Sequence, residues 1–567
     1  MATIPVVIKH QGKKHNVDLD PSTNGEVFKL QVYSVTNVEP DRQKILVKGG
    51  QLKDDMELSK LNAKPGQEFM MIGTPRSGAT ALSRPKEAIK FVEDMTEAEA
   101  AQQVGAIPAG LTNLGNTCYL NSALQTLRTI PELQEELVKY GRPGSGASAD
   151  TTAALRDLYK YMGETQEHFA PHVFLLALRA ENQQFAQRAK NGHGYAQQDA
   201  EEAWSHIITQ LKQKLLLQKS DPNSSESSES NALSFVDRYM TGRTTIVTKQ
   251  DEGAADQEGE TTQEIFLKLN CNIKGTTNHL RDGLKDAGVA NIEMRGGHYT
   301  RTSHISRLPK YLTVHFVRFG WKERAGDSGI KTKIMRKVTF PHELDMVEFC
   351  TDELRAKLVP VRDKVREVRK DEEDIERARK RQKKIRDKEA ADAAAGIVDS
   401  VSASKNESDK KPVDKKDSKK KDGKTADGDT EMEDVVYKTD AEIDAEKAAA
   451  LLEAKKELHS LISQDLLDDE GSNKSGLYEL RGVVTHKGAS ADSGHYTSFV
   501  KKQGPLDPKT GRRGEEDGKW WWFDDDKVSE VEADTIATLS GGGESHSALI
   551  LLYRAIPLPS ADGTSDL

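Results

Sequence analysis

The sequence has few cysteines, no long apolar run and no strong excess of either charge. Its 567 residues include only three cysteines, Cys118, Cys271 and Cys350, and none of them forms a C-x-x-C pair. This excludes a disulfide framework and argues against a cysteine-rich zinc site. No run approaches the roughly 18 apolar residues of a membrane span, and the N-terminus lacks a signal-peptide pattern. We therefore expect a reducing compartment, the cytoplasm or the nucleus.

The charge balance also limits the possible functions. There are 82 basic and 91 acidic residues, which gives a formal net charge of -9. Such a balance gives no reason to expect nucleic acid as a partner. Charged residues make up 31% of the chain and hydrophobic residues 36%, which indicates that some segment is not packed. The length suggests about two to four domains.

Residues 1–75 have the pattern of a small independent domain. The run "PVVIKHQGKKHNVDLD" predicts two strands around a Gln-Gly turn. The next run, "STNGEVFKLQVYSVTN", places Val27, Leu30 and Val35 near helical spacing. Further strands are predicted in "QKILVKGGQ" and "EFMMIG". A hairpin followed by a helix and more strands favours a β-grasp domain.

The rest of the chain divides by composition. Residues 76–104 are small and polar at first, with a short helical stretch at the end, and are interpreted as a flexible linker. From 105 to 557, helical patterns come early and strand patterns late, which predicts an α+β domain. Residues 360–450 interrupt it with a charged, largely disordered insertion whose helix we expect to be solvated. Residues 558–567 form a tail.

The stretch "GLTNLGNTCYLNSALQTL" contains the most informative cysteine. Leu120, Leu124 and Leu127 recur at helical spacing, so Cys118 is predicted to lie at a helix N-terminus. The helix dipole and the unpaired N–H groups there favour a thiolate, which is a good nucleophile. A cysteine at a helix start is more often a small buried hydrophobe, so a nucleophile requires partners elsewhere.

Two later segments supply candidate partners. In "VVTHKGASADSGHYTSFV", His495 follows a Gly/Ser-rich loop and begins a strand, as expected of a base beside a mobile loop. His486 begins the same loop, and a structural histidine or a secondary ligand contact both fit it. In "KWWWFDDDKVS", Asp524 ends an aromatic strand and could orient the imidazole of His495.

Five motifs in order resemble the ubiquitin-specific protease family over most of residues 105–557. They are "GLTNLGNTCYLNSALQTL", "YAQQDAEEAW", "LPKYLTVHFVRF", "SGLYELRGVVTHKGASADSGHYTSFV" and "WFDDDKVS". The resemblance implies a papain-like cysteine protease fold with thumb, palm and fingers. It also implies a cysteine-type deubiquitinase that hydrolyses the peptide or isopeptide bond after the C-terminal Gly-Gly of ubiquitin.

The resemblance assigns roles by motif position. Cys118 matches the nucleophile, His495 the base and Asp524 the residue that orients it. Asn113 matches the side-chain donor of the oxyanion hole, and Asp525 a supporting polar position.

The same resemblance assigns residues to ubiquitin binding. Gln197 and Gln198 match a motif that lines the ubiquitin tail, and His486 is a further candidate contact. Many members of the family bind zinc through two C-x-x-C pairs in the fingers, and these pairs are absent here. We therefore expect zinc-free fingers, no metal and no cofactor.

The N-terminal module resembles ubiquitin, most clearly in "PDRQKILVKGGQLKDD". Leu46 matches a central apolar surface residue, and Lys44 lies beside it. Together with the zinc-free domain and the charged insertion, this is similar to the proteasome-associated branch of the family. That branch implies docking on the 19S base of the 26S proteasome, loops such as 486–494 that block the free enzyme, and a monomer when free. It also implies trimming of ubiquitin chains from bound substrates, with recycling of ubiquitin.

Two other functions compete with this interpretation. One is a ubiquitin-binding regulator without catalysis, which would not react with an electrophilic ubiquitin probe. The other is a general cysteine protease, which would cleave unstructured proteins such as casein.

Overall fold

The computed structural model describes most of the chain. The described residues are 3–36, 38–48, 50–73, 96–101, 106–141, 150–189, 194–217, 233–251, 259–294, 297–324, 327–394, 440–490, 493–504 and 513–563. They form two compact units, divided after Met95. Most of the predicted linker, residues 76–95 and 102–104, lies outside the described residues, and residues 97–101 form a short helix. Among the described residues, no helix combines the length and apolarity needed to cross a membrane.

The N-terminal unit is a five-stranded sheet with one helix packed on it. Its elements are β1 (Ile4–His10), β2 (Lys13–Leu19), α1 (Gly25–Thr36), β3 (Lys44–Val47), β4 (Gly50–Gln51) and β5 (Glu68–Ile72). The strand order is β2-β1-β5-β3-β4, with β1 and β5 parallel. Gln11 and Gly12 connect the first hairpin with φ of 47° and 79°, the left-handed pair that a tight two-residue hairpin turn needs. The predicted β-grasp arrangement is therefore confirmed.

The buried face of α1 does not carry the apolar residues whose spacing predicted the helix. The core contains Phe28 and Val32, which lie four residues apart on one side of the helix. Val27, Leu30 and Val35 are exposed. Both sets fit a helical period, and packing against the sheet selects the side that carries Phe28 and Val32.

The second unit begins with helices. They are α2 (Glu97–Ala101), α3 (Cys118–Leu127), α4 (Pro131–Lys139), α5 (Thr151–Met162), α6 (His172–Glu181), α7 (Ala200–Lys214) and α8 (Phe235–Tyr239). Every residue of α3 is buried, which places this helix at the centre of the unit. Since α3 contacts α7 on one side and the main sheet on the other, it fixes the position of Cys118 between the two layers.

Strands make up most of the later part. They are β6 (Gly242–Gln250), β7 (Glu260–Phe266), β8 (Leu269–Asn272), β9 (Val289–Met294), β10 (Gly297–Arg307), β11 (Tyr311–Val317), β12 (Phe319–Arg324), β13 (Asp327–Lys333), β14 (Glu343–Asp345), β15 (Leu477–Ser490), β16 (Ser493–Lys501), β17 (Trp520–Asp524), β18 (Lys527–Val531) and β19 (Ser547–Ala555). The main sheet has the order β18-β17-β16-β15-β19-β11-β8, and β14 pairs with β15. A second, antiparallel sheet has the order β7-β6-β10-β9. The α+β prediction is confirmed.

The charged insertion is more ordered than expected where the structure describes it. The remaining helices are α9 (Leu280–Ala287), α10 (Asp352–Ala394), α11 (Asp440–Ser460), α12 (Gln464–Asp468) and α13 (Asp534–Ala537). In α10, Val361, Val365 and Val368 are buried in the second core, with Leu458 of α11. A narrow apolar stripe at helical spacing thus packs the first part of α10, whereas residues 371–384 are mostly exposed, as expected of a solvated helix. Residues 395–439 lie outside the described residues.

Candidate active site

The loop before α3 is held in place by the turn after β17. A side chain at position 110 would place its Cβ 2.5 Å from the carbonyl oxygen of Asp526, so this approach requires Gly110. The N–H of Leu111 donates to the Asp525 carbonyl at 2.9 Å. Gly115 and Asn116 then have φ of 90° and 55°, which turns the chain sharply into the helix. Two segments far apart in sequence are thereby joined beside the first residue of α3.

The structure brings Cys118, His495 and Asp524 together. Cys118 begins α3 and is 3% exposed, His495 lies on β16, and Asp524 ends the adjacent β17. The Nε2 atom of His495 lies 2.5 Å from Oδ1 of Asp524. The imidazole of His495 also interacts with the Cys118 thiol.

These contacts set the protonation of the imidazole. The hydrogen bond to Cys118 raises the pKa of His495 most, burial opposes it, and Asp524 adds to the increase, so that the pKa rises to about 9. The arrangement therefore favours an imidazolium next to the sulfur at neutral pH. An imidazolium stabilises a thiolate, and the thiolate is the nucleophilic form of cysteine.

Asp525 connects the triad to the loop before α3. It adopts φ of 53°, and its two carboxylate oxygens accept from Nδ2 of Asn113 at 2.9 Å and from Nδ2 of Asn121 at 2.8 Å. The Oδ1 atom of Asn113 accepts from the N–H groups of Gly115 and Thr117 at 3.0 and 3.2 Å. Burial raises the pKa of Asp525 above its ordinary range, against the opposing effect of the two amides. Hydrogen bonds therefore hold both the oxygen and the nitrogen of the Asn113 side-chain amide, in the loop before Cys118.

Asn121 was missed by the sequence reasoning. It lies three residues after Cys118 on the same face of α3, is 2% exposed, and binds Asp525. A buried polar residue inside an apolar helical pattern needs a hydrogen-bond partner. The sequence shows an asparagine within the apolar helical pattern, but it does not show that Asp525 is its hydrogen-bond partner.

Of the two glutamines expected to contact ubiquitin, only Gln197 reaches the site. Its Nε2 atom lies 3.9 Å from Sγ of Cys118 and donates to the carbonyl of Gly494 at 3.2 Å. Gln198 is buried. Gln197 therefore bridges the cysteine and the beginning of β16.

His486 is enclosed rather than presented to a ligand. Its ring is fully buried between the rings of Phe319 and Tyr496, at centroid distances of 5.2 and 4.7 Å. Neither ring nitrogen has a hydrogen-bond partner in the part of the chain that the structure describes. Burial and the nearby Lys333 lower the pKa of His486 to about 3, so the ring is neutral. In this conformation the ring packs among aromatic side chains and is not exposed to a ligand, and its contact with ubiquitin stays a prediction.

The ligand atoms of His495, Asp524 and Asp525 lie within 4.8 Å of one another, close enough in principle for a metal ion. Their hydrogen bonds to each other and to two asparagine amides account for this cluster without an ion. Cys271 and Cys350 are buried free thiols whose pKa values burial raises to about 12. Neither has the surroundings of a reactive cysteine.

The predicted docking residues lie on the outer face of the N-terminal sheet. Leu46 is 44% exposed and pairs across the sheet with the exposed Met70. Lys44 pairs with the exposed Ile72. The face thus combines apolar and basic side chains.

Comparison with known protein families agrees with both units. Residues 6–76 match the ubiquitin family. Residues 109–553 match the family described as ubiquitin carboxyl-terminal hydrolase, and they include Cys118, His495 and Asp524. An α+β fold with a thiol, an imidazole and a carboxylate in contact defines a cysteine hydrolase. The chain belongs to the ubiquitin carboxyl-terminal hydrolase family, and it is a cysteine-type deubiquitinase with an N-terminal ubiquitin-like domain.

Curated proteins from distant organisms are similar over nearly the whole chain. Ubiquitin carboxyl-terminal hydrolase 6 of Schizosaccharomyces pombe is 38% identical, over 97% of this chain and 99% of that protein. Ubiquitin carboxyl-terminal hydrolase 6 of Arabidopsis thaliana is 33% identical, over 97% and 98%. Ubiquitin carboxyl-terminal hydrolase 14 of Caenorhabditis elegans is 29% identical, over 97% and 94%. The similarity therefore includes both units and the order in which they occur.

Proposed function

We propose that this deubiquitinase cleaves the bond after the C-terminal Gly-Gly of ubiquitin, with Cys118 as nucleophile. The thiolate attacks the carbonyl carbon of the last glycine, and the His495 imidazolium gives its proton to the departing amine. The neutral imidazole then takes a proton from water, which attacks the thioester and releases the ubiquitin carboxylate. The observation that carries this proposal is the hydrogen bond between His495 and Asp524, with the Cys118 thiol interacting with the same imidazole.

Asn113 is proposed as the donor that stabilises the oxyanion. One N–H of its amide is bound to Asp525, and the side chain is exposed beside Cys118, so the second N–H is available to a developing negative charge. Asp525 acts as a positioning residue, because it fixes this amide before substrate arrives. Gln197 is proposed to contact the diglycine tail, since its amide lies next to the sulfur.

The test uses two matched substrates. Wild-type protein should release a lysine-linked peptide from a ubiquitin conjugate, and it should leave casein intact. A conjugate whose last ubiquitin residue is alanine instead of glycine should be cleaved at least 100-fold more slowly, because the extra methyl group must fit beside the thiol. Equal cleavage of both conjugates, or degradation of casein, would favour the general protease.

The N-terminal domain is proposed to dock on the 19S base of the 26S proteasome through Leu46 and Lys44. Support comes from the exposed apolar and basic face that carries both residues. Leu46→Asp should abolish co-sedimentation with purified proteasomes. The control Leu30→Asp, at an equally exposed site on α1, should not. Loss of binding in both variants, or in neither, would contradict the proposed face.

The cellular role follows from docking. The proposed protein is a free monomer in the cytoplasm and nucleus that trims ubiquitin from proteasome-bound substrates and so recycles ubiquitin. The bridge from Gln197 to Gly494 holds the beginning of β16 next to Cys118, and we expect it to restrict access to the thiol in the free protein. Adding proteasomes should therefore raise the rate of cleavage by the wild type, and Leu46→Asp should remove this increase without changing the rate of the free enzyme.

A further inference from the structure

A cavity lined by basic side chains lies on the catalytic unit. It has a volume of about 770 Å³, and its walls carry five cations: Lys310, Lys474, Arg481, Arg513 and Arg554. Arg481 lies near the start of β15, and Arg554 lies on the neighbouring β19. The volume is in the range of small-molecule binding sites, roughly 300–1,000 Å³.

This cavity is separate from the candidate active site. His495 pairs with Lys487 near the far end of β15, six residues after Arg481. Six residues of a strand span about 20 Å. A ligand that is held by Arg481 therefore does not occupy the space next to Cys118.

The carboxylates that line the cavity are already paired. They are Glu132, Glu470 and Glu516. Glu132 binds Lys310 at 2.9 Å, Glu470 binds Arg238 at 3.0 Å, and Glu516 binds Arg481 at 2.7 Å. Glu479 beside the cavity also binds Arg481 at 2.9 Å and Arg554 at 3.1 Å, so three of the five cations, Lys310, Arg481 and Arg554, have a carboxylate partner.

Two cations have no carboxylate within ion-pair distance among the described residues. Nζ of Lys474 donates only to the carbonyl of Asp469, at 3.3 Å, and Nη1 of Arg513 donates only to the carbonyl of Gly504, at 3.4 Å. The side chain of Asp469 is engaged by Arg307 at 2.6 Å. Lys474 is half-buried, and burial together with the nearby Lys310 lowers its pKa.

Such an arrangement is unfavourable without an anion. A cation that is partly removed from water and faces other cations loses hydration and gains repulsion. The Nε–H of Arg554 is also buried without an acceptor in the described part of the chain. Lysine and arginine side chains that converge on a concavity are the usual ligands of phosphate groups.

We propose that this cavity binds a small anion that carries two or more phosphate groups, held by Lys474, Arg513 and Arg554. Two unpaired cations and one unsatisfied guanidinium N–H supply donors for more than one phosphate. Arg481, Lys310 and the terminal nitrogen of Arg554 are held in place by their ion pairs. The ligand would add contacts between β15, β19 and the loop that carries Lys474, and so stabilise the folded catalytic unit.

The test is calorimetric titration of the full chain with sodium tripolyphosphate in 150 mM salt. Wild type should bind one equivalent, at least tenfold more tightly than it binds inorganic phosphate. Lys474→Gln and Arg513→Gln should each weaken tripolyphosphate binding tenfold or more. The control Lys249→Gln removes an exposed cation on β6 and should leave the affinity unchanged.

Several results would overturn the proposal. They are no binding by the wild type, equal loss in the Lys249→Gln control, unchanged affinity in both cavity variants, or equal affinity for inorganic phosphate. A second measurement separates binding from folding: the urea midpoint of ligand-free Lys474→Gln should equal or exceed that of wild type, since the substitution removes an unpaired charge. A lower midpoint would assign Lys474 a structural role instead.

Discussion

Two cysteines of the catalytic unit are almost equally hidden from solvent, yet their surroundings differ. Cys118 is 3% exposed and Cys271 is 0% exposed. Cys118 begins a helix and shares a hydrogen bond with an imidazole that Asp524 orients. Cys271 lies in β8 against Gly283, and burial raises its pKa to about 12. Burial alone therefore does not decide the reactivity of a thiol here, and the groups that stabilise its charge do.

The largest expected difference between the two sites is catalytic. Cys118→Ala should reduce hydrolysis of a fluorogenic ubiquitin C-terminal amide by about 10⁵-fold or more, because the nucleophile is lost. Cys271→Ala removes only a buried thiol and should keep kcat/KM within about twofold of wild type. A similar loss in both variants would show that the loss comes from disturbed packing and not from removal of the nucleophile.

Removing the charge that orients the imidazole should have the next largest effect. Asp524→Asn keeps the shape of the side chain, but it favours the wrong tautomer of His495, and kcat should fall by about 10³- to 10⁴-fold. Asp526→Asn, at the exposed carboxylate two residues later, is the matched control and should be nearly silent. Equal effects would mean that the acidic turn acts through its overall charge.

The oxyanion donor should contribute less than the triad. Asn113→Ala should lower kcat by about 10²- to 10³-fold with little change in KM, because the amide acts on charge that develops only during reaction. Asn16→Ala, at an exposed position of the N-terminal domain, is the control. A rise in KM at constant kcat would instead place Asn113 in substrate binding.

Substitutions around Cys271 should change the stability of the protein and leave its activity unchanged. A Cβ at position 283 would lie 2.2 Å from Sγ of Cys271, so Gly283→Ala should lower the free energy of unfolding by about 1–3 kcal/mol. Adding Cys271→Ala removes the sulfur and should restore part of this loss in urea denaturation, a coupling that a double-mutant cycle measures. Additive effects would show that the two residues are not in contact.

The smallest effects concern pH. His495 must carry its proton to protonate the leaving amine, so kcat/KM should fall about tenfold per unit as pH rises above about 9. Because the folded pKa is raised from about 6.5, this histidine's contribution to stability is complete below pH 6.5 and is lost as pH rises through 9. Measured by urea unfolding, the stability of His495→Ala should therefore fall less than that of wild type between pH 6.5 and 9.5. An identical loss would assign the pH dependence to other groups.

The sequence predicted the parts of the structure that depend on local pattern. The Gln11–Gly12 hairpin, the start of α3 at Cys118 and the strand that contains His495 all follow from short stretches of residues. The proximity of Cys118, His495 and Asp524 was predicted from motif order, because distance in the chain gives no information on distance in space.

The sequence did not predict features that depend on long-range packing. The helical period of α1 fits two possible core faces, and only the sheet selects the side of Phe28. The contacts of Asn121 and His486, and the apolar stripe around Val365, are set by partners distant in the chain. For the same reason the sequence does not predict that the basic residues of the cavity lie close together, since they come from loops and strands far apart in the chain.

The most direct test treats the full chain with ubiquitin that carries an electrophile at its C-terminus and maps the adduct by mass spectrometry. The proposed mechanism predicts one covalent adduct, at Cys118, no adduct at Cys271 or Cys350, and faster labelling when proteasomes are present. An adduct on another cysteine, or no adduct under either condition, would contradict it.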